Sequence, residues 1–264
     1  MVRNYGSIVE IINVEMIGKI SLKIYDDALI SKDLQKEHIW QTEITSFIQT
    51  FEFKKHNPIF LDIGAHVGYF SLLVANLNPN IIVHSFEPSS NIYPLLQENT
   101  ISFPNIIPHN YGIYERKKTK LFHSTFNTGD NSLKEKEIQR TTVSSGQPFD
   151  VTKYTCNDCY TKPINEFDID FDRVELIKVD TQGTELDILL QLLSIPKPNF
   201  TVIIVHASDL YSYIENPEKF ELQNPYPSYH YPILSKLDVE LIPLKTLRND
   251  HIFKLTERTK YDNY

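Results

Sequence analysis

Short apolar runs, each closed by a glycine, an acid or a histidine, constrain this chain more than any other feature. Run 59–63 ends in Gly64, 81–86 in Glu87 and Pro88, 105–111 in Gly112, 174–179 in Asp180, and 202–205 in His206. Nearly continuous β-branched runs of this length suit strands covered on both faces, as in a parallel sheet. Helical spacing lies between several of them. Phe70, Val74 and Leu77 recur at one period, and Leu186, Leu189, Leu190 and Leu193 form a stripe after Gly183. Thr184 is the expected N-cap of that second helix, with Glu185 and Asp187 favouring its dipole. A shorter helix is expected over 91–99. Strand and helix alternating at this spacing predict an α/β fold with a doubly wound, mostly parallel sheet.

Two regions depart from the rhythm. Residues 1–57 hold short alternating segments and then an expected helix from about Gln35 to Phe51, and read as an N-terminal extension packing on a core domain of residues 58–264. Residues 113–172 are polar and too long for a simple loop, so they read as a hairpin-bearing insertion before the fourth core strand. The segments 239–247 and 251–255 are expected to form a terminal hairpin on the sheet edge.

With only eight glycines in 264 residues, the pair Gly64 and Gly68 inside one strand-to-helix loop carries weight. That loop is where an open α/β sheet binds its ligand. A dinucleotide fingerprint needs glycine at positions 66 and 69, which are His66 and Tyr69 here, so close backbone approach to a pyrophosphate is not provided for. Glu87 follows Gly64 by 23 residues, the spacing of the acid that accepts ribose hydroxyls and repels a 2′-phosphate. Together these features describe an adenosine-containing ligand without pyrophosphate, and S-adenosyl-L-methionine meets the description. They disfavour a nicotinamide-dependent reductase.

Three segments carry a family resemblance: Phe60-Leu61-Asp62-Ile63-Gly64-Ala65-His66-Val67-Gly68-Tyr69-Phe70-Ser71, then Phe86-Glu87-Pro88, then Ile177-Lys178-Val179-Asp180-Thr181-Gln182-Gly183-Thr184-Glu185. Over about residues 30–256 the chain resembles the FkbM-type methyltransferases of the class I, Rossmann-like fold. The resemblance implies a seven-stranded sheet, S-adenosyl-L-methionine as methyl donor, and O-methylation of a hydroxyl on a sugar or small metabolite. It implies that Asp62, Gly64 and Gly68 line the methionine end, that Glu87 holds the ribose, and that Asp180 stands near the transferring methyl. Ala65, His66 and Pro88 complete the cofactor-binding set. An acid expected at the end of the fifth strand is replaced by His206.

An alcohol acceptor must lose a proton as the new bond forms, a task worth about 10²–10⁴-fold when a side chain performs it. Asp180, Glu185 and His206 are the catalytic candidates because they sit at or just beyond the expected carboxyl ends of central strands. His206 is the first choice of base, since histidine titrates near neutrality. Asp180 would orient it, accept directly or hold the acceptor. Asp180, Glu185, His206 and Asp209 match no standard metal spacing. Cys156 and Cys159 precede an expected strand rather than opening a helix, which sets aside a redox motif.

Lys and Arg number 26 against 34 Asp and Glu, a net charge of −8 that opposes nucleic acid as the partner. Two cysteines exclude a disulfide scaffold and fit a reducing, cytoplasmic setting. No run reaches membrane-spanning length. The partner expected is a small-molecule or glycan acceptor, the alternative being an inactive cofactor-binding interaction module. The aromatic, proline-rich stretch 211–232 reads as a stiffened loop. Acceptor identity and oligomeric state have no motif.

Overall fold

The computed structural model describes residues 7–14, 20–26, 30–123, 128–133, 155–195, 202–206, 239–247 and 250–257. Asp209 and the aromatic stretch 211–232 lie outside the described residues. The chain opens with an antiparallel pair, β1 (Ile8–Val14) and β2 (Ile20–Tyr25), followed by α1 (Ile30–Glu37) and α2 (Thr42–Thr50). One helix was the expectation for this last region, and the structure corrects it. His38 and Gln41 take positive φ, 54° and 44°, and break it. Leu34 of α1 and Ile44 of α2 bury in one cluster.

The central sheet follows. In chain order come β3 (Ile59–Ile63), α3 (Tyr69–Leu77), β4 (Ile82–Phe86), α4 (Tyr93–Thr100) and β5 (Ile106–His109). The polar region gives β6 (Gly112–Ile113), β7 (Lys117–His123) and β8 (Thr155–Lys162), a separate sheet of order β6-β8-β7. Then come β9 (Val174–Val179), α5 (Glu185–Leu193), β10 (Val202–His206), β11 (Val239–Leu247) and β12 (Asp250–Glu257). The strand order is β11-β12-β10-β9-β3-β4-β5. β10, β9, β3, β4 and β5 run parallel, and β12 and β11 add antiparallel at one edge. Cys156 and Cys159 lie within β8, both free, the first exposed and the second buried.

Alternation along each strand sorts the core into two layers. Phe60, Leu176 and Ile204 face one cluster with Leu72 and Leu73 of α3, whereas Leu61, Ile177 and Ile203 face another with Ile188 and Leu192 of α5. Helices therefore cover both faces, which is why the strands read as unbroken apolar runs. The β1–β2 pair is tied to this body by Asn99. Its Oδ1 accepts Lys23 N–H at 2.9 Å, and its Nδ2 donates to the carbonyls of Lys23 and Val67 at 2.9 and 2.8 Å.

A second tie fixes the entry to β9. The Glu175 carboxylate, 2% exposed, accepts the backbone N–H groups of Lys54 and Lys55 at 2.9–3.0 Å. Removing it strands two amide donors in the segment leading to β3. Glu175→Ala is expected to lower the unfolding free energy in urea by about 1–3 kcal/mol, and Glu175→Gln by less, because one amide oxygen still accepts. Equal stability of all three proteins would contradict this.

Candidate active site

The loop after β3 turns on the end of β9. Asp180 N–H donates to the Ile63 carbonyl at 2.9 Å, and Gly64 follows at φ +85°. A Cβ built on Gly64 would lie 1.9 Å from the Asp180 carbonyl oxygen. The glycine is thus required by strand packing, and it lines the cavity as well. Gly68 (φ +93°) sits at the N-cap position of α3, where a Cβ would meet Leu96 at 2.8 Å. The loop is pinned sideways to β4, since Gly64 N–H and Ala65 N–H both donate to the Phe86 carbonyl, at 3.0 and 2.9 Å.

Glu87 follows immediately and folds back under this loop. Its Oε2 accepts His66 N–H at 3.1 Å and its Oε1 accepts Ser89 N–H at 2.8 Å, with the residue only 6% exposed. Burial pushes its carboxyl up to about 7, against the pull of the two amides. Each oxygen retains acceptor capacity, because an ionised carboxylate offers about four lone-pair sites.

Glu87 lines a cavity at the carboxyl ends of β3 and β4, whose empty space counted out to open solvent is ≈ 540 Å³. Gly64, His66, Pro88, Asp180, Thr181 and Thr184 form the core side. The far wall comes from Tyr111 and Gly112 after β5, then Ile113, Leu121, Thr128, Asn131 and Leu133 of the insertion. Two contacts hold this wall to the core loops: His66 Nε2 lies 2.9 Å from Thr128 Oγ1, and Ser132 Oγ donates to the Gln182 carbonyl at 2.5 Å. The sequence reading named none of these wall residues as site residues. Only Gly112, a glycine after an apolar run, carried a signal.

The structure brings Gly64, His66, Glu87, Pro88 and Asp180 to the cavity, and leaves Asp62, Ala65, Gly68 and Glu185 off its wall. Asp62 is fully buried beneath the loop, its Oδ2 accepting Ser71 Oγ–H at 2.6 Å. The reason is alternation, which points residue 62 toward α3 with Phe60. Ala65 and Gly68 are turned into the loop and helix contacts described above. Glu185 is turned back on its own loop, where Oε1 accepts Thr181 N–H at 2.9 Å and Oε2 accepts Gly183 N–H at 2.8 Å. Thr184 makes no side-chain cap, and its hydroxyl donates to Thr181 Oγ1. His206 closes β10 one residue beyond the Val205–Val179 pair, level with Asp180 on the neighbouring strand.

Behind Glu87, His84 and His109 stack on adjacent strands, with Nδ1 and Nε2 3.0 Å apart. Burial lowers both to about 4, so they are neutral core residues near pH 7.

Residues 62–241 match the methyltransferase FkbM domain. The chain belongs to the FkbM methyltransferase family. Among characterised relatives of this FkbM chain, the AMB antimetabolite synthetase AmbE of Pseudomonas aeruginosa is 25% identical over 162 residues, 52% of this chain and 8% of that protein. Methyltransferase sdnD of Sordaria araneosa is 25% identical over 160 residues, 50% of this chain and 60% of that protein. The match thus spans less than two thirds of either relative. Among solved structures, an O-methyltransferase from Bacillus cereus in complex with SAH shares 12% identity at TM-score 0.45, covering 86% of each chain. M. jannaschii TYW2 in complex with AdoMet shares 13% at TM-score 0.43, covering 98% of this chain and 90% of that one.

FkbM methyltransferases use S-adenosylmethionine. The residues here fit that donor: a buried carboxylate with spare acceptor capacity, apolar side chains from the insertion, and a second acid, Asp180, lining the same cavity. Among the described residues no group of three or more metal-ligating side chains occurs, and no helix is long and apolar enough to cross a membrane. Gly64→Ala in this FkbM chain is expected to cost more than about 3 kcal/mol in thermal or urea unfolding, from combined backbone strain and the clash with the Asp180 carbonyl. A variant as stable as the parent would show that the β3 and β9 ends are not locked as described.

Proposed function

We propose that this FkbM chain transfers the methyl group of S-adenosylmethionine to a hydroxyl of a sugar or small metabolite. The buried Glu87 carboxylate carries the reading. It is fixed by two amides at the end of β4, faces the cavity, and has lone pairs left for two vicinal hydroxyls of a ribose. Pro88, Ile113, Leu121 and Leu133 offer an apolar wall to the attached base. The net charge of −8 disfavours a nucleic-acid acceptor, and a relative named as an antimetabolite synthetase favours a small one.

When bound, the sulfonium donor supplies an activated methyl group and a neutral leaving thioether. The protein's own task is alignment, worth roughly 7–11 kcal/mol of barrier when reacting atoms are held in line, and removal of the acceptor's proton. Asp180 and His206 end adjacent parallel strands and are the two residues assigned to receive or relay that proton. Glu185 is not assigned a catalytic role, because both its oxygens are engaged by the β9–α5 loop.

The test is titration calorimetry with S-adenosylmethionine and S-adenosylhomocysteine from pH 6 to 8. Two hydroxyls donate best to an ionised carboxylate, and Glu87 ionises near 7, so affinity is expected to rise with pH through about 7. Glu87→Gln should flatten that rise, and Glu87→Ala should weaken binding by about 10–100-fold, the loss of hydrogen bonds to a charged acceptor. Failure of the folded parent to bind either compound would defeat the proposal.

A further inference from the structure

Lys178 lies near the end of β9 and is 3% exposed, an ammonium placed where charge is costly unless paired. Its Nζ donates to Asp180 Oδ2 at 3.1 Å and stands 4.8 Å from the centre of the Phe70 ring. Across the β3–β9 register its Cα partner is Asp62, which is fully buried. Asp62 Oδ1 accepts no hydrogen bond among the described residues, and burial pushes that carboxyl up while Lys178 opposes the shift. The other Asp180 oxygen is also held, since Gln182 Nε2 donates to Oδ1 at 3.0 Å. Gln182 takes φ +54°, and the insertion's Ser132 donates to its carbonyl. Asp180 is therefore fixed from both sides at the cavity wall.

Lys178 is thus paired with Asp180 in a nearly dry layer beside the cavity, with Asp62 buried across the register. Of the three groups only Asp180 lines the cavity. A ligand cation there would meet a carboxylate whose direction is set by Lys178 and Gln182. A neutral ligand of the same shape would gain nothing from it.

We propose that Lys178 is a positioning residue that holds the Asp180 carboxylate at the cavity wall, and that through this pair the site distinguishes the cationic sulfonium donor from its neutral thioether product. This rests on the S-adenosylmethionine reading of the cavity. It adds a specificity determinant that acts on charge, separate from Glu87, which meets the same ribose in donor and product.

The experiment compares calorimetric affinities for S-adenosylmethionine and S-adenosylhomocysteine in the parent, Lys178→Met, Asp180→Asn and the double variant. Each single change is expected to weaken S-adenosylmethionine about tenfold and S-adenosylhomocysteine less than about threefold. If Lys178 acts through Asp180, the double variant loses little beyond either single one. Should Lys178→Met fail to fold, Lys178→Met/Asp62→Asn removes the buried carboxylate left without its ammonium and is read in its place. Equal losses for both ligands, no loss, or additive losses would overturn the inference. A parent that binds neither ligand would remove the function reading itself, and this inference with it.

Discussion

The site depends on the contact between the loop after β3 and the end of β9. Parallel pairing of these strands sets Ile63 beside Asp180, and the absence of a side chain at Gly64 lets the Asp180 carbonyl close onto the loop. That contact fixes the direction in which the loop leaves β3, and so where its amides point. Two consequences follow at once. His66 N–H reaches Glu87, and Asp180 comes to the rim of the same cavity.

Along β9 and at the strand ends the protein buries several ionisable groups, and each is handled differently. Glu175 and Glu185 accept backbone amides from the loops they hold, so their charge is spent on structure. Glu87 accepts one amide on each oxygen and keeps acceptor capacity toward the cavity. Lys178, Asp62 and Asp180 form a compact charged layer between α3 and the strand ends. Buried charges of this kind are poor stabilisers compared with packed apolar residues. Their grouping beside one cavity, away from the rest of the core, agrees with a site in which electrostatics is arranged for a ligand.

The insertion completes what the sheet begins. A parallel sheet offers only the crevice at its carboxyl ends, open on the far side. Here β6 to β8 and the short turn at residues 128–130 close that side with apolar side chains, and contacts from Thr128 and Ser132 fasten them to the core loops. The division matches the two halves of the proposed ligand, polar anchoring from the sheet and apolar cover from the insertion.

The sequence by itself determined the alternation of strand and helix, the parallel character of the core strands, and the places where the chain leaves them. These are local properties, since burial on both faces writes itself as an unbroken apolar run and strand ends are marked by Gly64, Glu87, Gly112 and Asp180. The motif words led to the methyltransferase family for the same reason. Only the tertiary structure decided what each marked residue touches. Gly64 serves a carbonyl 116 positions away in the chain, Asp62 is turned under the loop, Glu185 holds the β9–α5 loop, and Leu121 and Leu133 become cavity wall. The helix expected across Gln35 to Phe51 is replaced by two, parted by positive φ at His38 and Gln41 and packed on one core, a break no local period announces. Periodicity reports which face of an element is buried; it says nothing about which distant residue will be found there.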